Sequence, residues 1–227
     1  MEMQRLPGWV DPLATAYVAL AVLTALAVAC DIYGRGYRQR VRSMEAVWAL
    51  SALWLGPFAL PLYARTGRPR TAKWQAERVA GTELSLPAKA VSGGLPGGAA
   101  SLLGHVLGVP IVLVAGWTLF GVDMFAMIAV IAVLAIAMLF AFEYSAAARR
   151  DVGGKTVGAA LLVATITVLA FDLGMGGWML VLHFNGLMPP LASINFLFLM
   201  QIGIVLGFLT AYPAVAALLR RGTKVAV

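Results

Sequence analysis

Four residues near the end of one apolar stretch carry the chemistry most open to interpretation. Asp172, Met175, Met179 and His183 follow one another at spacings of three, four and four. At about 100° per residue in a helix they fall within about 80° of each other, so they form one stripe. Carboxylate, thioether and imidazole are ligands that soft or borderline metals accept, and Met175, Met179 and His183 are the expected ligands. The same stripe could equally serve as a proton or cation path with Asp172 titrating. A plain packing role competes with both, because methionine commonly fills apolar helix interfaces.

Two further ionisable residues sit inside apolar stretches, where an unpaired charge costs several kcal/mol. His105 is expected to meet Asp172, Glu143 or His183 across a bundle, or to act as a structural hydrogen-bonding group. Glu143 is expected either on the same path or paired near Arg149 and Arg150. Asp31 and Asp123 fall at helix ends. Gln201 and Tyr212 share a face, and Gln201 is expected to hydrogen-bond between helices. The GxSxG, HExxH and P-loop patterns are missing from the sequence. The balance therefore leans away from an enzyme.

These residues need helices to hold them, and the composition says where. Hydrophobic residues make up 61 % of the 227 and charged residues 12 %. Soluble domains carry about 45–50 % apolar and about 25 % charged residues. The expected class is all-α, a polytopic transmembrane bundle forming one domain over residues 1–227. That excludes a soluble enzyme and a nucleic-acid-binding domain, despite a net charge of +7. The partner certain from composition is the lipid bilayer. Cys30 is the lone cysteine, so no intrachain disulfide can form.

Six stretches approach the roughly 20 residues a span needs. They run from Leu13 to Ile32, Val47 to Tyr63, Ala99 to Phe120, Met124 to Tyr144, Thr156 to Phe184 and Ile194 to Leu219. The first is read as an anchor helix. Lys and Arg concentrate in the first, second and fourth connections and at the C-terminus, while the third and fifth carry none. The positive-inside rule then places the second and fourth connections and the C-terminus in the cytoplasm, and the chain in the inner (plasma) membrane. The first connection conflicts with that, because both ends of the second stretch are basic. Six crossings with one breach of the rule is the preferred solution. A re-entrant second stretch, broken by Gly56, Pro57 and Pro61, is the other. In that case every Lys and Arg except Arg5 lies on one side.

Residues 65–98 read as a cytoplasmic connection, amphipathic through Trp74, Val79 and Leu84 and then rich in glycine. The run from Ser92 to Ser101 is expected to give a bent or broken start to the third span. Gly104 with Gly108, Gly154 with Gly158, and Gly203 with Gly207 are GxxxG pairs, suited to bundle packing or dimerisation.

Phe196 to Gly203 and Gly207 to Pro213 resemble an uncharacterised bacterial membrane-protein family, the DUF4396 domain of unknown function. The likeness extends to Phe142-Glu143-Tyr144, to Gly174 through Met179, to His183-Phe184 and to Leu55-Gly56-Pro57. Many members carry His-Cys-Gly-Ala-Gly-Cys before the third span, a stretch suited to a thiophilic metal. The corresponding residues here are Pro96, Gly97, Gly98, Ala99, Ala100 and Ser101, so that ligand set is missing. Two functions are therefore carried forward. One is a transporter or channel for a small cation, a proton or a transition-metal ion, lined by Asp172, Met175, Met179, His183, His105 and Glu143. The other is a non-catalytic membrane subunit or assembly factor that binds a partner protein or a second copy.

Overall fold

The computed structural model describes residues 6–77, 84–148 and 157–224. They form helices α1 (Val10–Ala29), α2 (Ser43–Leu55), α3 (Ala59–Leu62), α4 (Ala72–Glu77), α5 (Leu86–Ala115), α6 (Asp123–Ala148), α7 (Val157–Phe184) and α8 (Ile194–Arg220). No strand occurs among the described residues. Six helical segments are long and apolar enough to cross a membrane, as in a multi-pass membrane protein. Val79 and Gly154, used above, lie outside the described residues.

The second apolar segment does not run straight. α2 ends at Gly56, whose backbone sits at φ +56° and ψ −140°, far from helical values and open mainly to glycine. A short 3-10 turn (Gly56–Phe58), α3 and a wide turn (Tyr63–Gly67) follow. A straight helix would separate Trp48 from Gly67 by about 28 Å. Instead the rings of Trp48 and Tyr63 lie 5.2 Å apart, and Gln39 Nε2 donates to Gly67 O at 3.4 Å. The chain goes in along α2 and returns. α1 measures the depth: the tip packs Gly56 against Tyr17, while Tyr63 reaches Asp31, about 21 Å further along that helix. The segment is a re-entrant helical hairpin, and the preferred six crossings give way to the alternative. The physical reason is Gly56 followed by Pro57, a reversal next to a residue that cannot donate a helix hydrogen bond. The connections at residues 35–42 and 65–77 therefore share one end of the bundle with Lys224, and that end is basic.

Non-helical backbone at membrane depth needs partners from protein. Here Gln201 Nε2 on α8 donates to Leu53 O at 2.6 Å, and Tyr17 Oη on α1 donates to Trp54 O at 3.4 Å. The hairpin's return arm is tied at its mouth. Tyr63 Oη donates to Asp31 Oδ2 at 3.1 Å, and Arg68 makes a charge contact with the same oxygen at 3.4 Å. This arrangement predicts one-sided labelling. On a Cys30→Ser background, Arg40→Cys and Lys73→Cys should react with an impermeant maleimide from the same side. Phe120→Cys, 96 % exposed at the opposite end, should react from the other. Opposite sidedness for residues 40 and 73 would remove the hairpin.

The glycine run also departs from expectation. It does not break the third span; α5 starts at Leu86 and continues through Pro96 to Ala115. All ten residues from Ser92 to Ser101 are buried, so this part of α5 is the central rod of the bundle. The reason is thickness. Local propensity disfavours glycine in a helix by about 1 kcal/mol per residue, but missing side chains admit neighbours. A Cβ at Gly98 would lie 2.6 Å from Trp54 of the hairpin, one at Gly94 2.9 Å from Phe208 of α8, and one at Gly97 3.3 Å from Thr167 of α7. Further along, Gly104 and Gly108 receive Ile131 of α6. On α8, Gly207 receives Phe171, and Gly203 receives Met175 and Trp178. Both GxxxG pairs are thus used inside the chain, which removes them as a dimer face.

Candidate functional site

The central rod carries two polar side chains one turn apart, Ser101 and His105, and both are buried. They follow Gly97 and Gly98, so the narrow part of α5 leads into them. Four elements close around this stretch: the hairpin through Trp54, α6 through Ile131, α7 through Thr167 and Met179, and α8 through Phe208.

His105 Nδ1 lies 2.8 Å from Ser101 O. A carbonyl can only accept, so Nδ1 carries the hydrogen. In the neutral ring Nε2 then holds a bare lone pair. That nitrogen faces Met179 Sδ at 3.4 Å, and a thioether is also only an acceptor. Two lone pairs confront each other in a buried place. A second proton on the imidazole reconciles them, and so does a soft cation held by nitrogen and sulfur. No group of three or more His, Cys, Asp or Glu side chains suited to a metal occurs among the described residues. Any metal here would rest on the His105–Met179 pair.

Between this pair and the hairpin lie polar atoms that the protein does not satisfy. Ser51 Oγ and Trp54 Nε1 on the hairpin, Ser101 Oγ on α5, Thr167 Oγ1 on α7 and Gln201 Oε1 on α8 are buried without a hydrogen-bond partner among the described residues. A bare buried group of this kind costs about 1–3 kcal/mol. Native proteins keep few of them, and those few usually meet water, an ion or a function. These five come from the hairpin, α5, α7 and α8. Spacing in the sequence could not find them, because they are ordinary Ser, Thr, Trp and Gln residues on separate helices.

The residues singled out from sequence fare differently. Met175 and Met179 are in the core, 1 % and 2 % exposed. Met175 packs against Gly203 and Met179 against His105. His105 is therefore brought to the methionines of the stripe. Asp172 and His183 are half-buried and outside that contact. Asp172 lies between Leu169 and Leu173, which are 56 % and 75 % exposed, so it stands at the outer edge of α7. His183 meets the ring of Phe184 edge-on at 5.2 Å. Glu143 is paired with Lys224, both buried, beside Gly93 at the basic end. That is about 18 Å along α5 from His105. Gln201 makes the expected cross-element hydrogen bond, to the hairpin. Arg149 and Arg150, the other partners considered for Glu143, lie outside the described residues.

The model of the family described as Domain of unknown function (DUF4396) matches residues 88–224, from the start of α5 to Lys224. No curated protein and no solved structure matches the chain. The hairpin precedes the matched region, yet the groups that hold it, Gly98, Gln201 and Phe208, fall within it.

Proposed function

For this chain, which belongs to the DUF4396 family, we propose that the bundle passes a small cation, a proton or a metal ion, along the central rod. The observation that supports this reading is the set of unpartnered polar atoms from Ser51 to Gln201 around a re-entrant tip. Hydroxyl and amide oxygens at that depth can replace part of a cation's hydration shell, and the indole N–H can donate to a water held beside them. His105 and Met179 follow as the next station, able to take up a proton or a soft cation. We assign the basic end, and with it the C-terminus, to the cytoplasm of the plasma (inner) membrane by the positive-inside rule.

Flux into liposomes tests the proposal. Ser101→Ala combined with Thr167→Val should lower flux at least tenfold. It should leave thermal stability equal or higher, because deleting an unsatisfied polar group removes its penalty. A merely structural role would give the reverse, lower stability with nothing transported. Wild-type liposomes as tight as protein-free ones to protons, Cu(I) and K+ would end this reading.

One observation favours the second function, binding of a membrane partner. Asp172 is an ionisable group at the outer edge of α7 without an ion-pair partner among the described residues. A carboxylate there would gain from a donor on another chain. Asp172→Asn should weaken co-purification of that chain while leaving flux intact. Lost flux with retained co-purification would exclude it.

A further inference from the structure

His105 Nε2 and Met179 Sδ, 3.4 Å apart, join a borderline nitrogen donor to a soft sulfur donor. With bond lengths like those to zinc, about 2.0 Å to nitrogen and about 2.3 Å to sulfur, an ion between them would see these two ligands about 105° apart. That bend leaves the far side of the ion open to a further donor. More sulfur lies at this depth. Met175 is one turn before Met179 on the same face of α7, and its Sδ lies against Gly203 of α8. Trp178 Nε1 donates to Leu199 O at 2.8 Å, which sets the next residue of α8, Met200, level with Met179. Met175 and Met200 are both buried. Three buried thioethers thus stand within about one turn of the depth of a single imidazole.

No carboxylate joins them among the described residues. Asp172 is about 10 Å along α7 from Met179 and at its outer edge, and Glu143 is paired with Lys224 at the basic end. A cation here brings charge into a buried place without a countercharge, which favours a single charge over two. A hard ion seeks oxygen, whereas this centre offers nitrogen and sulfur. A proton would use the imidazole nitrogen alone, because a thioether is a weak acceptor.

We propose that this centre binds a soft monovalent cation, Cu(I) or its analogue Ag(I), through His105 Nε2 and Met179 Sδ, with a further thioether from Met175 or Met200. The cation of the central rod is then a thiophilic metal ion. Its place in transport rests on the cation path proposed above, but its test reads binding alone.

The full chain carrying Cys30→Ser, which removes the exposed thiol, is titrated with Cu(I) in detergent without oxygen, against bathocuproine disulfonate as competitor. One Cu(I) per chain is expected, with both nitrogen and sulfur scatterers in its X-ray absorption spectrum. Met179→Leu and His105→Gln should each weaken binding at least tenfold. Met179→Leu nearly conserves volume, so it keeps the comparison readable if His105→Gln does not purify. Met138→Leu, half-buried on α6 and about 10 Å along it from Ile131, should change nothing. Wild-type protein that takes up neither Cu(I) nor Ag(I), or both variants binding as wild type does, would overturn the proposal. Proton flux without bound metal would remove the metal centre and leave the path standing. Bound Cu(I) without flux of any ion would uphold the centre and remove the path.

Discussion

Replacing Gly174 by alanine is expected to lower stability by about 1–3 kcal/mol, the usual range for overpacking. A Cβ there would lie 2.5 Å from the carbonyl carbon of Leu206 and 2.7 Å from the backbone nitrogen of Gly207. Both atoms are backbone, so no rotamer change relieves the overlap. α7 and α8 must part, which also loosens Phe171 against Gly207 and Met175 against Gly203. Gly177 is the matched control, because nothing lies within 4 Å of its added Cβ. Gly177→Ala should be neutral or stabilising, since alanine is the better helix former by about 1 kcal/mol. Thermal unfolding in detergent, followed by loss of the monodisperse peak, separates the two variants. Equal midpoints would mean that α7 and α8 do not approach this closely.

Glu143→Gln is the second substitution expected to act strongly. The side chains of Glu143 and Lys224 are 6 % and 0 % exposed. Removing the carboxylate leaves an ammonium group buried alone, a change that typically costs about 3–5 kcal/mol. Glu143→Leu with Lys224→Met should recover most of the loss, because the pair's own attraction is largely offset by desolvation. The exposed pair Lys73 and Glu77, at 4.0 Å, sets the contrast: Glu77→Gln should change stability by less than about 1 kcal/mol. A Glu143→Gln midpoint equal to that of Glu77→Gln would show that Lys224 is hydrated.

The spans were legible because apolar length and charge placement are local properties. The hairpin was legible only as an alternative. Its apolar length is that of a crossing, and a single glycine conformation decides between the two. The basic residues on both sides of it carried the correct signal, since charge asymmetry reports the side of the membrane regardless of the path between. The glycine run misled for a definable reason. Propensity counts what each Gly costs a lone helix, whereas Trp54, Phe208 and Thr167 need the space that a missing side chain leaves. Asp172, Met175, Met179 and His183 do share a helix face by spacing. Spacing cannot say which end of that face meets the core, and the core takes only the two methionines. The close approach at Gly174 is not legible in the sequence, because its partner is the backbone of α8, which leaves no sequence pattern.

The hydrogen bond from Gln201 to Leu53 joins residues 148 apart, and this has a consequence for biogenesis. Helices enter a membrane in chain order, and a hairpin with bare tip carbonyls is a poor guest in lipid. Of the two groups that satisfy carbonyls at this tip, Tyr17 on α1 is made before the hairpin and Gln201 on α8 long after it. Until α8 is synthesised the hairpin lacks one cap for its carbonyls, so its final seating must wait for the C-terminal helix. Chains truncated before Gln201 should therefore leave the hairpin accessible to protease or label. The last span acts as the keystone of assembly, closing a structure whose second segment was made long before it.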